Sequence, residues 1–109
     1  VQGDYNLLGH EMAHQVHFYF DAFHAPSSNC ITKLFRKAQS EGQFPDAYSS
    51  YNAYEHFAQG ATYYMIPPSS PKRFGLNRAW LENNNPLQLQ FLQSLESSNG
   101  DLNKISCPL

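Results

Sequence analysis

Residues 4–23 read Asp4-Tyr5-Asn6-Leu7-Leu8-Gly9-His10-Glu11-Met12-Ala13-His14-Gln15-Val16-His17-Phe18-Tyr19-Phe20-Asp21-Ala22-Phe23. The stretch has no proline and a single glycine. Leu8, Met12, Val16, Tyr19, Phe20 and Phe23 recur at three- and four-residue spacing, the interval that puts side chains on one face of an α-helix. The spacing predicts an amphipathic helix whose apolar stripe meets a core. Another series, His10, His14, His17, Asp21 and His24, is spaced 4, 3, 4 and 3. It fits a solvated polar face opposite the stripe as well as a row of ligands.

Working outward, Ala25-Pro26-Ser27-Ser28 interrupts the first helix, and Ile31, Leu34, Phe35 and Ala38 mark a second that stops near Gly42, a left-handed cap. The segment from Gln43 to Tyr51, with Pro45, reads as a loop. Asn52 offers an N-cap to a third helix reaching about Met65, where Pro67, Pro68 and Pro71 forbid continuation. A short helix over Asn77 to Glu82 follows. Asn85-Pro86 then caps and opens a last helix with the stripe Leu87, Phe91, Leu92 and Leu95, ending before Asn99-Gly100. No segment alternates strictly enough to read as a strand. The expected fold is mainly α, with four to five helices.

With 109 residues and no internal repeat, the chain is one domain or a segment of one. Seven Lys plus Arg stand against nine Asp plus Glu, a net charge of -2, which argues against nucleic acid as a partner. No apolar run approaches the roughly 18 to 20 residues that cross a bilayer, which argues against a membrane span. The first residue is Val1 and no basic segment followed by an apolar run opens the sequence, so a processed product or a fragment is expected. Cys30 and Cys107 can form one disulfide, and low charge with abundant Asn, Ser and Gln fits an oxidising, secreted setting.

Within the first helix, Gly9-His10-Glu11-Met12-Ala13-His14 carries a His-Glu-x-x-His pattern. Residues four apart share a helix face, so the imidazoles of His10 and His14 can reach one tetrahedral Zn²⁺ while Glu11 flanks its open position. There Glu11 can take a proton from an activated water and pass it to the leaving amine of a peptide bond. A catalytic site needs a third protein ligand. His17 lies on the same helix and would approach from nearly the same side as the other two. Glu55 brings a carboxylate from a separate element, and the small Ala58 and Ala61 would let its helix come close to the first. Glu55 fits a surface acid equally well. His56 points roughly 100° away from Glu55 and reads as a packing or surface residue. His24 reads as a helix C-terminal residue, and Trp80 and Phe74 as core anchors.

His10-Glu11-Met12-Ala13-His14, a long spacer, and then Tyr48 seven residues before Glu55 in Tyr-x-x-x-Asn-x-x-Glu-x-Phe-Ala resemble the catalytic half of the anthrax lethal factor-like zinc metallopeptidases, which are gluzincins. The chain is also similar to a group of secreted fungal proteins, conidiation-specific ones among them, whose Glu-x-Phe-Ala helix is followed by segments like Arg73-Phe74-Gly75-Leu76-Asn77-Arg78-Ala79-Trp80-Leu81 and Asn85-Pro86. The resemblance spans about residues 9 to 95. It implies zinc held by His10, His14 and Glu55, Glu11 as general base, Tyr48 as the supporting phenol, and a zincin-like C-terminal half in which the motif helix packs on the helix carrying the third ligand. Tyr51 is the next candidate for the phenol, whose hydroxyl would serve a developing oxyanion.

Zinc peptidases of this kind place a strand before the motif helix, against which substrate lies extended. Only nine residues precede His10 here. Two functions follow as expectations. One is a zinc-dependent endopeptidase acting on peptide or protein substrates, its catalytic domain completed by an upstream segment or a second chain. The other is a non-catalytic metal-binding or interaction protein derived from a metallopeptidase and lacking the substrate-binding strand.

Overall fold

The computed structural model describes residues 7–44, 48–65 and 78–109. Among these residues five α-helices follow one another: α1 Leu7–Phe23, α2 Ala25–Glu41, α3 Ala53–Tyr64, α4 Arg78–Asn84 and α5 Pro86–Ser98. Single turns of 3-10 helix lie at Tyr48–Ser50 and Leu102–Lys104, and no strand occurs among the described residues. The mainly α expectation is met. Pro45, Pro67, Pro68, Pro71 and Phe74 lie outside the described residues.

Helix ends follow from side chains and backbone. The Asn52 carboxamide oxygen accepts the Glu55 backbone N–H at 2.9 Å, filling one of the donors a helix start leaves open. At the end of α2, Gly42 takes φ 66°, its N–H reaching Gln39 O while Gln43 N–H reaches Ala38 O at 2.9 Å. This is the paired closure that favours a residue without Cβ.

Ala25-Pro26-Ser27-Ser28 follows the end of α1 as expected and is itself the first turn of α2, where proline lacks only an N–H that a first turn leaves unused. His24 alone separates α1 from α2; its backbone N–H closes α1 on Phe20 O at 2.8 Å, and its Nδ1 lies 2.7 Å from Ser27 Oγ. Asn85 does precede α5, yet its side chain makes no cap. The amide Nδ2 donates instead to Gln88 Oε1 at 3.1 Å and lies 3.4 Å from His56 Nε2, inside the molecule.

Helix α3 is the axis of the fold and contacts all four other helices. Eight of its 12 residues are buried: His56, Phe57, Ala58, Gln59, Gly60, Thr62, Tyr63 and Tyr64. Around it pack Ala13 and Phe20 of α1, Ile31 and Leu34 of α2, Leu81 of α4, and Leu89, Phe91 and Leu92 of α5. Cys30 and Cys107 form a disulfide that ties the C-terminal segment to α2 across 77 residues. Closing a loop of that length restricts the unfolded chain by about 4.5 kcal/mol on chain-entropy grounds.

Helix α1 is rotated from the expected orientation, and of the described members of the expected stripe only Phe20 is buried. Met12, Val16, Tyr19 and Phe23 are exposed, whereas His10, Ala13, His17 and Phe20 face α3 and the core. The histidine series is therefore not a solvated face. The apolar side chains Met12, Val16 and Tyr19 line one wall of an open groove of about 690 Å³, with Ala61 of α3 and Leu92 and Leu95 of α5 opposite. No described helix is long and apolar enough to cross a membrane.

Candidate metal centre

Two helices build the site. The four-residue separation of His10 and His14 sets their rings side by side on α1, edge to face with centroids 4.7 Å apart. The capped first turn of α3 carries Glu55, held in place through its own N–H on Asn52. Glu55 Oε1 stands 3.0 Å from His10 Nε2 and 3.4 Å from His14 Nε2, and the two Nε2 atoms are 3.1 Å apart. These atoms form the one group of three or more His, Cys, Asp or Glu side chains among the described residues that can hold a metal ion.

The triangle fits a cation on chemical grounds. Gln59 Oε1 lies 2.8 Å from His10 Nδ1. A carboxamide oxygen only accepts, so that ring nitrogen carries a hydrogen, and in the neutral ring His10 Nε2 then keeps a lone pair facing the carboxylate. Electron-rich atoms brought to 3.0–3.4 Å of one another call for a positive centre among them, which a shared proton or a metal ion supplies. Ligands at about 2.0–2.1 Å in a tetrahedron sit about 3.3 Å apart, close to the edges of this triangle. Side-chain exposure rises from 5% at His10 to 15% at His14 and 22% at Glu55, so the cluster opens to solvent on the His14 and Glu55 side.

Glu11 is exposed on the turn of α1 between the two histidines. Tyr48 starts the 3-10 turn before α3, but its side chain lies outside the described residues. Tyr51 is 69% exposed. His17 does not join the triangle: its Nε2 faces Asp21 Oδ1 at 3.8 Å, and its ring stacks on Tyr54 with centroids 4.1 Å apart. The Tyr54 hydroxyl is engaged by the Asp21 carboxylate, which also accepts from Ser28 Oγ. Those two hydrogen bonds hold the Asp21 carboxyl below its usual pKa, and the same carboxylate pushes the Tyr54 phenol up. Burial, opposed by Asp21, pulls the His17 imidazole below its ordinary value.

His56, beside Glu55 in sequence, points away from the triangle into a pocket of rings, with Phe35 and Phe44 at 5.8 and 5.6 Å between centroids. Gln59 is not among the residues expected at this site on sequence grounds. Its signal was available, because Gln59 stands four residues beyond Glu55 and so on the same side of α3.

No protein-family model, no curated protein and no solved structure matches this chain.

Proposed function

We propose that the chain is a zinc-dependent endopeptidase, or the C-terminal catalytic segment of one, of the anthrax lethal factor-like gluzincin kind. The observation that carries this reading is the convergence of His10 Nε2, His14 Nε2 and Glu55 Oε1 from two separate helices. Two imidazoles and one carboxylate are the donor set of a hydrolytic zinc site, which keeps one position open. Bound there, the ion supplies Lewis acidity toward water and toward a peptide carbonyl.

The remaining steps belong to the chain. His10, His14 and Glu55 hold the ion. Glu11, beside them on α1, takes the proton from the attacking water and delivers it to the departing amine. Tyr48, or Tyr51 after it, donates its phenol hydroxyl to the oxygen on which charge develops. The substrate is a peptide or protein, laid against an upstream segment or second chain. The disulfide accords with an extracellular site of action.

Glu11→Gln tests the reading, because the amide has the shape of the acid and no basicity. Zinc content and circular dichroism of the variant should match wild type, while hydrolysis of an unstructured protein substrate falls by about 10² to 10⁴-fold. A zinc-loaded protein that hydrolyses no peptide even together with the segment or second chain that completes its catalytic domain contradicts it, and makes the protein a non-catalytic metal-binding descendant.

A further inference from the structure

His10 is the most enclosed of the three converging side chains, 5% exposed against 15% and 22%. A neutral imidazole carries its hydrogen on either ring nitrogen, and only the tautomer protonated at Nδ1 offers a lone pair at Nε2. A buried chain of side chains lies against Nδ1. His10 Nδ1 is 2.8 Å from Gln59 Oε1, and Gln59 Nε2 donates to the Tyr63 hydroxyl at 3.3 Å. Gln59 is 2% exposed and Tyr63 is fully buried. In this arrangement the amide nitrogen is taken up by Tyr63 and the amide oxygen faces His10. All of this comes from α3, the helix that also carries Glu55, so one element supplies a ligand and orients another.

We propose that Gln59 is a positioning residue of the metal centre, fixing His10 in the Nδ1-protonated tautomer, with Tyr63 holding the Gln59 amide in register. This rests on the metal-binding reading above. A carboxamide is a neutral acceptor, weaker than a carboxylate, so this centre holds its ion less tightly than the same fold would with an acid in place of Gln59.

The test compares zinc affinity, by competition with a chromophoric chelator at pH 7.5, for wild type, Gln59→Leu and Gln59→Glu. Wild type should bind one zinc. Gln59→Leu, similar in volume but without an acceptor, should weaken binding by about 10 to 100-fold, and Gln59→Glu should equal or exceed wild type. A purely packing role predicts the reverse order, with Leu tolerated and the buried charge of Glu damaging. An unchanged affinity in Gln59→Leu overturns the inference while leaving the metal centre standing. Absence of zinc binding by wild type removes both.

A second measurement needs no variant. Long-range ¹H–¹⁵N spectra of the zinc-loaded wild-type imidazoles should give a protonated Nδ1 on His10. A His10 ring protonated at Nε2 overturns the proposal whatever the variants do.

Discussion

His17 sits on the same side of α1 as His10 and His14 and yet has a different part to play. Its side chain is 2% exposed, packed between the rings of Tyr54 and Phe57, and its Nδ1 has no hydrogen-bond partner among the described residues. Burial opposes the charged ring, and nearby His14 adds to that effect; Asp21 on α1 favours the charge without overcoming it. Because the folded-state pKa lies below the unfolded value near 6.5, the unfolded chain binds more protons between the two values. Stability is therefore full above about pH 6.5 and falls as the pH drops through that window. Asp21, whose pKa is also lowered, adds its own loss at more acid pH, below the ordinary carboxylate value. Thermal melting in chelator at pH 7.5 and 5.5 should give a wild-type decrease that His17→Phe reduces. The variant at pH 7.5 should melt at or above wild type, since it removes a buried polar atom with no partner. Equal pH dependence in both proteins would contradict the account.

At the scale of the helices, α3 succeeds as a central axis because its small residues admit close neighbours. Gly60 is the tightest point. A Cβ built there would lie 1.8 Å from Gln88 Nε2 and 2.7 Å from its Cδ. Gln88 on α5 is 2% exposed and cannot swing into solvent. Its amide donates to His56 O at 3.2 Å and accepts from Asn85 at 3.1 Å, joining α3 to the start of α5. Gly60→Ala should therefore destabilise the protein by about 1 to 3 kcal/mol in urea denaturation, despite the higher helix propensity of alanine. Combined with Gln88→Ala, which removes the obstructing amide, the cost should be less than the sum of the two single changes. Additive effects would show that the contact does not govern the packing.

Such contacts explain which features were legible in the sequence. Asn52, Gly42, Pro86 and Asn99 act through neighbouring backbone, and the helix boundaries they imply are found within a few residues. Pro26 marks the break after α1 correctly, but does not show that the break is a single residue, because the same proline serves to end one helix or to begin the next. The rotation of α1 was not legible, because six apolar residues at helical spacing look like a core face whether or not a neighbour covers them. In the fold, α3 lies against the histidines instead, and Met12, Val16 and Tyr19 are left at an open groove. The triangle was within reach because His10 and His14 are fixed by one helical turn and Glu55 by its cap. The partner of His10 on α3 required knowing that the two helices pack together.

For the molecule as a whole, the candidate metal site lies across the α1–α3 packing around which the other helices gather. A ligand that binds only the folded chain adds stability in proportion to the logarithm of its concentration over Kd. Zinc bound by His10, His14 and Glu55 should therefore raise the melting temperature as well as bind. The most direct measurement is titration of the metal-stripped chain with Zn²⁺, followed by calorimetry and by elemental analysis after gel filtration. The account predicts one zinc retained per chain in wild type, with His14→Ala and Glu55→Ala each losing most of that affinity while remaining helical. A wild-type chain that retains no zinc, or one whose affinity is unchanged in both variants, would contradict it.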